Sequence, residues 1–241
     1  MIATANPVRM RGGQQMAEAL VDALPELEIE QPIVLNGVAW ETYERLLVER
    51  DHTRPGVRLV YDRGRLEIMS VILTHERWKS VLARLLETLA LALDIPLVAS
   101  GNLTIRNEDL ARGLEPDESY YVQNASAMLG IGELDLTRDP PFDLAVEIEY
   151  SRSIINRLPI LDALKVREVW RYDGEQMRVL IRRPEGGYAE ASASEAFPQV
   201  PLGIWNEFLK RVGTVDDTKL AREFYDWATQ NLEKSPGEQK S

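Results

Sequence analysis

The segment AVEIEY, residues 145–150, alternates apolar and acidic side chains, so Glu147 and Glu149 fall on one face of a strand. The pattern starts at Asp143. Leu144, Val146, Ile148 and Tyr150 share one side, while Asp143, Ala145, Glu147 and Glu149 share the other. Two carboxylates on one strand face either meet water or hold a cation. A third acid, Asp117, stands in EPDESYY, where a loop enters another short strand. Hard divalent ions such as Mg²⁺ prefer oxygen ligands and usually take one or two carboxylates, with water and substrate phosphate completing the shell. An ion held by Asp117 and Glu147 would polarise a phosphate oxygen, activate water and offset the charge that builds up in a hydrolytic displacement. Spacing alone leaves the solvated face open as the alternative.

Other chemistries are excluded or unsupported. The chain has no cysteine, so disulfides, thiolate metal sites and a cysteine nucleophile are ruled out. Its two histidines, His52 and His75, cannot build a multi-histidine metal centre. His75, at the start of a long helix, reads as a packing residue. There is no G-x-S-x-G elbow, Walker-type phosphate loop or G-x-G-x-x-G turn. No apolar run reaches about 18 residues, so no membrane span is expected. The N-terminus does not read as a secretory signal, which makes a cytoplasmic location the expectation. The net charge of −11 argues against avid, non-specific nucleic-acid binding. Charge is uneven, however: residues 152–183 carry eight bases and four acids.

The elements that must position these acids follow from periodicity. VAWETYERLLVER predicts a short helix with Trp40, Tyr43, Leu46 and Leu47 inward, and VRLVYDRGRLEIMS predicts a hairpin turning at Asp62-Arg63-Gly64. Thr74 is placed to cap a long helix whose stripe runs through Trp78, Val81, Leu82, Leu85, Leu86, Leu89 and Leu93. Strands are expected near Leu97–Ala99, Leu103–Arg106 and in SYYVQN, with NEDLARGLEPD as a loop. A helix near Asn156–Leu164, with Pro159 in its first turn, crosses over after the acidic strand. EVWRYDGEQMRVLIRRPEGGYAEA predicts two or three further strands, and two short amphipathic helices follow Pro201. The first residues hold an amphipathic segment, Gln14–Leu24, and the tail EKSPGEQKS reads as disordered. The expected fold class is α/β (mixed α+β): one central sheet flanked by helices.

Several segments, taken in order, resemble the Uma family of restriction endonucleases, within the PD-(D/E)xK nuclease superfamily. RLVYDRGRLEIMS followed by THE resembles its opening hairpin and helix start. LEPDESYYVQN resembles its proline–aspartate segment, and PPFDLAVEIEYS…NRLPILDALKVREVWRYDG its second motif and crossover helix. The resemblance covers roughly residues 35–205. It implies a restriction-endonuclease-like domain over 35–205, an N-terminal extension over 1–34, and a C-terminal helical extension and tail over 206–241. It further implies metal-dependent hydrolysis of DNA phosphodiesters, with Asp117 and Glu147 binding Mg²⁺ or Mn²⁺, and Glu76 in the place of an accessory acid. A homodimer would let two sites cut two strands.

The chain departs from the family pattern at two positions. Glu149 stands where the superfamily motif has lysine, and Arg157 where many relatives carry a lysine at the next helix start. Arginine keeps its proton and cannot act as a general base, but it can clamp a phosphate. Glu149 could ligate metal or accept a proton from water. These departures keep a non-catalytic interaction or regulatory module in play, and a hydrolase of RNA or small phosphoesters is a further alternative.

Overall fold

The computed structural model describes residues 32–53, 57–70, 73–149 and 153–233. The N-terminal amphipathic segment, and the tail beyond Glu233, lie outside the described residues. Where one central sheet was expected, the strands form two. The first is antiparallel and contains β1 (Ile33–Asn36), β2 (Val57–Asp62), β3 (Arg65–Ser70), β5 (Ile105–Asn107) and β6 (Arg112–Leu114), in the order β1-β3-β2-β6-β5. The second contains β4 (Val98–Ala99), β7 (Glu118–Tyr121), β8 (Leu144–Ile148), β9 (Glu168–Tyr172), β10 (Met177–Arg182) and β11 (Tyr188–Ala191), in the order β11-β10-β9-β8-β7-β4. This sheet is mixed, because β8 and β9 run parallel while their neighbours are antiparallel. A parallel pair needs a crossover, and helix α3 (Leu158–Ala163) supplies it.

The β2–β3 turn places Arg63 (φ 48°) and Gly64 (φ 84°) in the left-handed region, as a two-residue type I′ hairpin requires. Strand β6 was not expected, since its sequence is only Arg-Gly-Leu inside an apparent loop. Gly113 permits it: a Cβ there would stand 2.5 Å from the Tyr43 hydroxyl. Helix α1 (Trp40–Thr53) buries Trp40, Tyr43, Leu46 and Leu47 against Leu59, Tyr61, Leu66 and Ile68 of the first sheet. The long helix α2 spans Leu73–Leu93, so Thr74 falls inside its first turn rather than ahead of it.

The main core lies on one face of the mixed sheet. There the α2 stripe (Val81, Leu82, Leu85, Leu86, Leu89, Leu93) meets Leu144, Val146, Ile148, Trp170 and Tyr172. Helices α4 (Leu202–Leu209) and α5 (Asp217–Asn231) close that core with Trp205, Phe208, Leu220 and Phe224. Each large side chain so buried contributes roughly 1.5–3 kcal/mol. On the other face, Ala145 and Val169 pack with Ile160 and Leu161 of α3 and with Ile105 and Leu114 of the first sheet. β8 is therefore buried on both faces along its whole length, Glu147 included, while Glu149, just past its end, is part-exposed. Among the described residues, no helix is long and apolar enough to cross a membrane.

Candidate active site

The carboxyl end of β8 gathers the acids. Glu118 pairs with Val146 across β7 and β8, and the Asp117 amide donates to the Val146 carbonyl at 3.1 Å. One more step of this antiparallel register sets Asp117 across from Glu147. Asp117 is only 1% exposed. Its Oδ2 accepts the Ile148 amide at 2.6 Å and lies 3.0 Å from His75 Nε2. Its Oδ1 accepts from the Arg58 guanidinium. The same guanidinium reaches Glu76 Oε1 at 3.3 Å, and Lys79 Nζ lies 3.2 Å from Glu76 Oε2 and 3.6 Å from Glu118 Oε1. α2 can contribute His75, Glu76 and Lys79 together because residues three and four apart share a helix face.

Glu147, also buried, accepts from the Arg157 guanidinium through Oε2, while its Oε1 has no hydrogen-bond partner among the described residues. Arg157 immediately precedes α3, with Pro159 in the first turn. Its Nη2 lies 3.2 Å from Met69 Sδ, and its Nε is buried without a partner. The loop that carries Arg157 is anchored by a fully buried acid of β3, Glu67. That carboxylate accepts the amides of Ile154 and Ile155 and the Ser153 hydroxyl, each at 2.7 Å. Glu147, Glu149, Ser153, Ile154, Arg157 and Arg171 line a pocket of about 470 Å³. Glu149 sits just past the end of β8; its amide donates to the Tyr172 carbonyl at 2.8 Å and its carboxylate pairs with Arg171.

Burial, then the Arg58 and Arg157 charges against the pull of Glu76, bring the His75 imidazole down to about 4. It is therefore neutral near pH 7, and Nε2 donates its single proton to the acceptor-only Asp117 carboxylate. Burial also lowers Arg58, and the nearby Arg157 charge lowers it further. Burial pushes the Glu76 carboxyl up, but Lys79, Arg58 and His75 outweigh it and hold it below its ordinary value.

The structure thus brings Asp117, Glu147, Glu76 and Arg157 into one cluster and puts Glu149 on the wall of the adjoining pocket. His75 is buried as a packing residue would be, yet it contacts Asp117. Among the described residues of the basic stretch 152–183, five bases are ion-paired: Arg157, Arg167, Arg171, Arg178 and Arg182 pair with Glu147, Glu195, Glu149, Asp173 and Asp162. Sequence reasoning missed Arg58, Lys79 and Glu67. A charge within the short strands VRLVYD and RLEIMS was the available signal for Arg58 and Glu67.

The donor set suits a hard divalent ion. Two buried carboxylates supply oxygen, and Glu147 Oε1 is an acceptor with nothing to accept. Among the described residues, no three acidic or histidine side chains form a ready-made metal cage. A cation would replace arginine contacts rather than fill a waiting hole. His75 would keep Asp117 oriented, as a partner one step removed from the ion commonly does.

No curated protein matches the sequence. A family model named Uma2, described as "Putative restriction endonuclease", matches residues 40–206, which takes in the α1–β3 hairpin region, α2, Asp117, Glu147 and Arg157. The chain belongs to the Uma2 family.

Proposed function

We propose that the protein is a metal-dependent endonuclease that hydrolyses DNA phosphodiester bonds at the carboxyl end of β8, within a nuclease domain over residues 35–205. The observation that carries this is a pair of orphans. Glu147 Oε1, an acceptor, and Arg157 Nε, a donor, belong to ion-paired residues of one pocket, and both are buried without partners among the described residues. A buried polar atom without a partner costs about 1–3 kcal/mol. A cation on Glu147 with an oxyanion against Arg157 would satisfy both, and a metal-bound phosphate is such a ligand. Asp117 and Glu147 would hold Mg²⁺ or Mn²⁺, which supplies charge neutralisation at the phosphate and a more acidic water. Arg157 contacts the scissile phosphate and offsets charge in the transition state. Because arginine cannot take the water's proton, Glu149 is the acid in the pocket placed to accept it. Neutral His75 fixes Asp117, and Glu76 anchors Arg58 and Lys79.

DNA is the substrate class that the Uma2 description favours. With five of the eight bases in 152–183 already ion-paired, we expect weak, salt-sensitive binding confined to one cleft. Supercoiled plasmid incubated at low salt with Mg²⁺ or Mn²⁺ should be nicked or linearised by the wild type. Asp117→Asn should leave it intact. RNA and small phosphodiesters offered in competition would expose a different substrate.

A non-catalytic module on the same scaffold is the second reading. It is favoured by the arginines that already neutralise Asp117 and Glu147 and by the glutamate at position 149. It requires that Asp117→Asn change neither metal affinity nor biological function, and that the wild type cut no substrate with any metal.

A further inference from the structure

We propose that Arg58 couples cation binding to phosphate binding: it occupies Asp117 until a substrate phosphate draws its guanidinium away. The inference rests on the metal-dependent reading above and adds a residue that neither the family motif nor the sequence pattern singled out. Asp117 has two oxygens, and they are not equivalent. Oδ2 is committed to the Ile148 amide at 2.6 Å and to His75 Nε2 at 3.0 Å. Both donors belong to ordered elements, strand β8 and helix α2. Among the described residues, Oδ1 is held by Arg58 alone. A cation taking Asp117 must therefore compete with Arg58 for Oδ1.

Arg58 has somewhere to go. Its second anchor, Glu76 Oε1 at 3.3 Å, belongs to a side chain 39% exposed, so the guanidinium reaches from the buried Asp117 toward the solvent boundary. A planar fork can keep one arm on Glu76 and turn the other to a phosphate oxygen. The Arg157 charge acts on Arg58, so two guanidinium charges repel within one buried site. An incoming phosphate relieves that repulsion, and the vacated Oδ1 becomes available to the ion. Linkage makes the effect reciprocal: the phosphate tightens the ion and the ion tightens the phosphate. Arg58 is thus both the internal counter-charge that keeps the metal-free site folded and a second phosphate contact, supplied from the sheet opposite to Glu147.

The test uses the full chain and two probes, Mg²⁺ alone and a short fluorescent duplex DNA without metal. Calorimetric titration should show Mg²⁺ binding at least tenfold tighter to Arg58→Gln than to wild type, while anisotropy shows the duplex binding at least threefold more weakly. Lys79→Gln removes a positive charge from the same cluster without freeing Asp117, and its Mg²⁺ affinity should rise by less than threefold. Should Arg58→Gln fold poorly, Arg58→Lys keeps the charge but cannot span Asp117 and Glu76, and the same two shifts should appear in smaller size. Mg²⁺ binding that weakens or stays unchanged in folded Arg58 variants overturns the coupling, and so does tighter Mg²⁺ with unchanged DNA affinity. If neither the wild type nor any Arg58 variant binds Mg²⁺, the metal-dependent reading itself fails, an outcome distinct from failure of the coupling.

Discussion

Strand β8 carries buried acids at both ends, and the two ends treat them differently. At the amino end, Asp143 accepts the amides of Val122 and Asn124 at 2.8 Å and the Asn124 side-chain amide at 2.5 Å. Beside it, Glu168 of β9 accepts the Trp170 indole at 2.5 Å and the amides of Glu195 and Ala196 at 2.9 Å. Their partners are mostly backbone, and no oxygen of either is left unpaired. At the carboxyl end, one Asp117 oxygen accepts the Ile148 amide, but its other oxygen and Glu147 lean on long side chains, Arg58 and Arg157, and one Glu147 oxygen has no partner among the described residues. Backbone donors cannot leave without unfolding a turn, whereas arginines can exchange one anion for another. Carboxylates tied to backbone hold a fold together, while carboxylates tied to arginines are available to a ligand. The carboxyl ends of strands are also where open α/β sheets place their ligands.

Substitutions can break or sharpen this contrast, and the largest effect expected among the supporting residues is at Arg157. Arg157→Ala should slow DNA cleavage about 10²–10³-fold, the range for removing one preorganised donor from a transition-state charge. Arg157→Lys should recover part of that rate, as initial rates at saturating Mg²⁺ would show. Asp143→Ala should act on the other quantity. It strands the Val122 and Asn124 amides and should cost about 2–3 kcal/mol in urea melts, with the rate per folded molecule unchanged.

His75 gives a pH signature of similar or smaller size. Its folded value is depressed from 6.5 to about 4, so the unfolded chain binds the proton first as pH falls. The contribution is fully present above pH 6.5 and is lost as pH drops toward 4, about 3 kcal/mol in all. Melts of wild type and His75→Gln across that window should differ in slope, with the variant flatter. The smallest effect belongs to the half-exposed Glu149–Arg171 pair. Arg171→Gln should change stability by less than about 1 kcal/mol, although cleavage by Glu149→Gln should fall further if that acid accepts the proton.

The legible part of the molecule was the part built from local period. The α2 stripe, the β2–β3 hairpin and the β8-α3-β9 crossover all follow from spacings within one segment. Asp117 and Glu147 were found because a strand pattern and a family motif agreed on them. The rest depends on how distant segments meet. Nothing near Arg58 says that the start of β2 will lie beside Asp117, since the two are 59 residues apart in the chain. Glu67 looks like an ordinary strand acid until the loop at Ser153, 86 residues later, closes on it. β6, which joins β5 to β2 in the first sheet, has one local mark, Gly113 fitting beneath Tyr43. His75 reads as packing from its helix face alone; only docking of α2 against the start of β7 shows what its second function could be.

The most direct test of the account compares the two ends of β8 in a single experiment: cleavage of a labelled DNA duplex at low salt with Mg²⁺ or Mn²⁺ by wild type, Glu147→Gln and Asp143→Asn, with each rate normalised to folded protein. The expected result is cutting by wild type and by Asp143→Asn at rates within a fewfold of each other. Glu147→Gln should be slower by about 10³-fold or more, the scale of several kcal/mol of lost charge stabilisation. Equal cutting by all three, or no cutting by the wild type with either metal, would contradict the claim that the carboxyl end of β8 is the catalytic end.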